Sequence, residues 1–89
     1  MRHYKIKIYG KVQGVSFRSS TLRRAQKLGV VGFVRNEDDG SVYCEAEAIK
    51  EIMDEFLLWC NDGPENALVD DIRLTEGAIF GFDDFNRLN

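Results

Sequence analysis

The sequence predicts an α/β sandwich of the α+β kind: an antiparallel sheet with two helices on one face and a short extra strand near the C-terminus. Three observations predict it. Apolar residues alternate singly in several segments, that period twice gives way to helical spacing, and the segments follow the order strand, helix, strand, strand, helix, strand.

Tyr4, Ile6 and Ile8 alternate with Lys5 and Lys7, the pattern of a half-buried strand. Gly10 and Gly14 bracket a short loop. Phe17, Thr21, Leu22, Ala25 and Leu28 then follow helical spacing, with Gly29 as the stop. Val30 to Asn36 reads as a second strand. Glu37-Asp38-Asp39-Gly40 reads as a tight turn, Asp-Gly being a strong hairpin signal. Val42, Cys44, Ala46 and Ala48 alternate with Tyr43, Glu45 and Glu47 in a third strand. Ile49, Ile52, Met53, Phe56, Leu57 and Cys60 form one helical apolar stripe, closed by Gly63-Pro64. Val69, Ile72 and Leu74 mark a fourth strand, and the stretch through Ile79, Phe80, Phe82 and Phe85 returns to the sheet edge. Two right-handed crossovers sharing one sheet give the ferredoxin-like βαββαβ arrangement.

At 89 residues a single domain over 1–89 is expected. Twelve Lys and Arg stand against 15 Asp and Glu, a formal charge of −3, which argues against a general nucleic-acid or anionic-membrane binder. No apolar run nears the ~20 residues of a membrane span, and the N-terminus has no signal-like core, so a cytoplasmic location is expected. The single histidine, His3, and two cysteines without CxxC spacing, Cys44 and Cys60, are too few for a zinc site. No metal or cofactor is expected, and both cysteines read as reduced core residues. His3 falls on the polar side of the first strand and is expected in solvent. Trp59 reads as a cap at the core edge, and Arg23, Arg24 and Lys27 as the solvated face of the first helix.

The segment Gly10-Lys11-Val12-Gln13-Gly14-Val15-Ser16-Phe17-Arg18 carries the clearest chemistry. Two glycines permit a sharp turn and close approach to a ligand. The helix that follows exposes unpaired N–H groups and the positive end of its dipole, and Arg18 adds a planar cation suited to an oxyanion. The same glycines would equally serve only to turn the chain. Asn36 ends the second strand, where Asn is also a common turn residue. The first two strands run parallel with one strand between them, so their C-terminal ends share an edge about 9–10 Å apart. That gap suits a phosphoryl group with a water between it and Asn36, and an amide can both donate to and accept from that water.

Gly10 to Arg18 resembles the acylphosphatase signature G-x-V-Q-G-V-x-F-R at every specified position. Gly32-Phe33-Val34-Arg35-Asn36 with Gly40 and Val42 is similar to the second signature, and Gly63-Pro64, Ala67 and Val69-Asp70 fit the family's run after the second helix. The resemblance spans essentially the whole chain. It implies hydrolysis of the anhydride between a carboxylate and phosphate, without metal or covalent intermediate. By that resemblance Arg18 binds the phosphate together with backbone N–H groups of Gln13, Gly14, Val15, Ser16 and Phe17, and Asn36 holds the attacking water. The implied partner is a small acyl phosphate, with inorganic phosphate as product and inhibitor, acting on a monomer.

Ser16 lies in the cradle but has no neighbouring base, so it does not read as a nucleophile. Asp38 and Asp39 are expected near the phosphate entrance, where they would weaken anion capture. Ala48 stands where the family often has Gly. An RNA-recognition reading fails because Gly29 to Asn36 fits that motif only at Gly32, Phe33 and Val34. The alternative within the fold is a regulatory module that binds an acyl or carbamoyl phosphate without turning it over.

Overall fold

The computed structural model describes residues 1–89. In chain order the elements are β1 (Arg2–Lys11), α1 (Phe17–Leu28), β2 (Val31–Asn36), β3 (Val42–Ala48), α2 (Lys50–Asp62), β4 (Leu68–Gly77) and β5 (Phe85–Arg87). One sheet holds the strands in the order β4-β1-β3-β2-β5. β1 pairs antiparallel with β3 and β4, and β3 pairs antiparallel with β2. This is the ferredoxin-like arrangement read from the element order, down to the single strand between β1 and β2.

The fifth strand departs from the antiparallel expectation. It pairs parallel to β2, with Gly32 opposite Phe85 and Val34 opposite Arg87. The route of the chain explains the direction. β4 ends level with the start of β1, where Gly77 faces His3. The chain then crosses the sheet at that end to its far edge and can only return the way β2 runs. The parallel direction delivers Arg87, Leu88 and Asn89 to the edge where β1 and β2 finish.

Alternation places Ile6, Ile8, Val34, Val42, Cys44 and Ala46 beneath the helices, all fully buried. Phe17 and Ala25 of α1 and Met53, Phe56 and Cys60 of α2 close the core from above. Phe56 meets Phe85 edge to face at 6.1 Å, which ties β5 to the core. The apolar stripe of α2 begins later than its spacing suggests. Ile49 is the extended residue before the helix and is 51% exposed. Cys44 and Cys60 are free and buried, and burial pushes both thiols upward. Trp59 sits at the core edge as expected, 5.7 Å from Phe17 with Arg24 over its ring.

His3 is not in solvent. It is only 2% exposed, sandwiched between Glu45 at 3.0 Å and Glu47 at 2.7 Å. The crossing segment makes the difference. Phe82 stacks on the His3 ring, and the backbone N–H groups of Phe80, Gly81 and Phe82 donate to the Glu47 carboxylate. Strand periodicity located His3 on the polar face but could not show that later residues roof that face.

Candidate active site

β1 shifts register between Tyr9 and Gly10, and Gly10 takes φ +130 there. A Cβ at this position would lie 2.1 Å from the Leu68 carbonyl oxygen, so no larger residue fits without moving β4. The loop then turns through Gly14 at φ +73 and Ser16 at φ +62. Ser16 is the residue before α1, and a left-handed conformation is costly for a serine. None of the backbone N–H groups of Gln13, Gly14, Val15, Ser16 or Phe17 donates to a backbone acceptor, which leaves them free for an anion at the helix start.

The Gln13 side chain faces the other way. Its Nε2 donates to the carbonyls of Glu37 at 2.8 Å and Ser41 at 2.9 Å, fastening the loop to the turn that follows Asn36. Val15 packs against the core instead of facing the cavity. Gly14, Ser16, Phe17 and Arg18 line a cavity of about 270 Å³, and Asn36 lines its other side. The two candidate side chains therefore share one cavity, as the parallel strands require. Arg18 Nη1 donates to the carbonyl of Leu88 at 3.1 Å and to Oδ1 of Asn89 at 3.3 Å. Asn36 Oδ1 is buried and has no hydrogen-bond partner in the protein.

Asp38 and Asp39 do not line the cavity. Asp39 turns back to Ser41, which donates both its hydroxyl and its N–H, and to Lys7 at 3.1 Å. These contacts hold the Asp39 carboxyl down at about 2. The expected penalty from Asp39 thus meets a local counter-charge. Ser19 and Arg87 also line the cavity and carried no reading in the sequence. The signal for Arg87 was period two: it follows Phe85 on the same side of β5.

A cavity walled by a guanidinium, a helix start and unpaired N–H groups has the chemistry that suits an oxyanion, on a domain of the ferredoxin-like class. The Acylphosphatase family model matches residues 4–86. The acylphosphatase of Thermotoga maritima is 42% identical over 85 residues, 96% of this chain and 94% of that one. The acylphosphatase of Synechococcus sp. strain RCC307 is 43% identical over 82 residues, 92% of this chain and 70% of that one. The crystal structure of acylphosphatase from Bacillus subtilis aligns with a TM-score of 0.96 at 33% identity, each chain covered completely. The chain belongs to the acylphosphatase family.

Proposed function

We propose that the chain hydrolyses acyl phosphates to a carboxylate and inorganic phosphate, with Arg18 and the loop N–H groups from Gln13 to Phe17 holding the phosphoryl oxygens and Asn36 holding the water. The water oxygen bonds to phosphorus as the bond from phosphorus to the acyl oxygen breaks. The acyl group leaves as a carboxylate, and the proton of the water passes to a phosphate oxygen, so no protein base is needed. The leaving group is good, and the protein's work is to position and to stabilise charge.

Asn36 Oδ1 carries this reading. Asn36 lines the cavity that Arg18 shares, and a small rotation of its amide would turn the buried, unpartnered Oδ1 to accept one hydrogen bond from a water there. Family membership supports the substrate class. The reading includes a monomeric cytoplasmic enzyme that needs no metal and is inhibited by its product.

Phosphate release from benzoyl phosphate, measured with and without EDTA, tests it. Turnover above the spontaneous rate, unchanged by the chelator, is expected. Binding without turnover would favour the regulatory module, and loss of activity in EDTA restored by a divalent ion would end the metal-free mechanism.

A further inference from the structure

The cavity contains a second guanidinium that phosphate capture does not use. Phe85 and Arg87 lie on one side of β5. Phe85 is buried against Phe56, and Arg87, one step nearer the site, reaches the cavity wall. Arg87 Nη1 donates to the hydroxyl of Ser19, while Arg18, beside Ser19, donates to the carbonyl of Leu88, beside Arg87. These exchanged contacts bring the two cations to one wall. Neither forms an ion pair, as is also true of Arg23 and Arg24 on α1, whereas Arg2, Arg35 and Arg73 each have a carboxylate partner. A hydroxyl fixes Arg87 without neutralising it.

The rest of the lining indicates what meets the acyl end of a substrate. Val12 and Phe17 are the hydrophobic residues of the cavity, and they are 1% and 2% exposed. An alkyl or aryl group would find almost no apolar surface there. Ser19 and Arg87 are polar and open to the space beside the phosphate site.

Resting on the acyl phosphate reading, we propose that Arg87 is a specificity residue that binds a carboxylate carried by the acyl group, so that the preferred substrates are monophosphorylated dicarboxylic acids. One guanidinium takes the phosphate and the other takes the distal carboxylate, each through the planar fork that fits such anions. Ser19 is the positioning residue that holds Arg87 toward the cavity.

Fumaryl phosphate and crotonyl phosphate test this. They differ by a carboxylate in place of a methyl group, and the trans double bond prevents the free carboxylate from attacking its own anhydride. Rates are divided by the spontaneous rate of each compound. The wild-type chain is expected to favour fumaryl phosphate in kcat/KM by about tenfold, mostly through KM, the scale of one exposed charge-assisted hydrogen bond. Arg87→Gln should bring the ratio to near one, Arg87→Lys should keep part of it, and Arg87→Glu should invert it. Circular dichroism checks that each variant is folded, and the lysine variant serves if the others are not. An equal ratio in wild type and Arg87→Gln overturns the proposal, since both substrates would then feel Arg87 alike. Turnover of benzoyl phosphate separates the readings: if it is hydrolysed without a carboxylate preference, only the role of Arg87 falls, and if nothing is hydrolysed, both readings fall.

Discussion

The side chain of Asn89 pairs with the backbone of Asn36 as a neighbouring strand would, donating Nδ2 to its carbonyl and accepting its N–H, each at 3.2 Å. The same Oδ1 accepts from Arg18. One carboxamide thus joins the residue assigned to phosphate and the residue assigned to water. Asn89→Ala should raise both KM and the inhibition constant of phosphate about three- to tenfold, because Arg18 loses part of its anchor. Asn89→Asp should weaken phosphate further, since a carboxylate would compete for the same guanidinium. Steady-state kinetics with phosphate as inhibitor checks both, and unchanged constants in Asn89→Asp would remove Asn89 from the site.

Arg18 and Asn36 should fail differently. Asn36→Ala removes the orientation of the water, which matters on the way to the transition state, so kcat should fall on the order of 10²-fold while phosphate inhibition stays nearly constant. Arg18→Ala should raise the phosphate inhibition constant as well as lower turnover, and Arg18→Lys should restore only part because a point charge lacks the fork. A near-normal kcat in Asn36→Ala with weak phosphate binding would reverse the two roles.

Phosphate should stabilise the folded chain by mass action, by about 2.7 kcal/mol at a hundred times Kd. The melting temperature should climb with phosphate at matched ionic strength and should stop climbing in Arg18→Ala. An equal rise in that variant would show that the anion binds elsewhere.

Glu47 should set the acid limit of stability. Burial alone would raise its carboxyl, but His3 and the N–H groups of Phe80, Gly81 and Phe82 outweigh burial and hold it below its ordinary value. A depressed carboxyl contributes stability above the unfolded value of about 4.3 and loses it as pH falls through the lower folded value. Glu47→Gln should cost about 2 kcal/mol at neutral pH by leaving an N–H group mismatched, and should flatten the decline that the wild type shows as pH falls from about 4.3 through the lower folded value. Urea unfolding at several pH values measures both, and a parallel decline in the two proteins would place the acid limit in other carboxylates.

Alternation and helical spacing made every element legible except the direction of β5, because three residues carry no signal for which neighbour they join. That Arg18 and Asn36 line one cavity was legible from the loop glycines and from strand order, both local or topological. His3, Arg87 and Asn89 were not. Each owes its environment to a segment far away in sequence: His3 to the roof of Phe80 to Phe82, Arg87 to Ser19, and Asn89 to Asn36. Period two places a residue on a face but does not say what later covers that face.

The parallel fifth strand also sets the order in which the site can come into being. Gln13 can fasten the loop to the β2–β3 turn once β3, through Ala48, pairs between β1 and β2, so the cradle and Asn36 can meet before β4 and β5 join the sheet. The wall that Arg87 supplies and the tie that Asn89 makes must wait until the chain has crossed the sheet and docked Phe85 on Phe56. A chain cut after β4 thus carries its signature loop without the wall of Arg87 or the tie of Asn89.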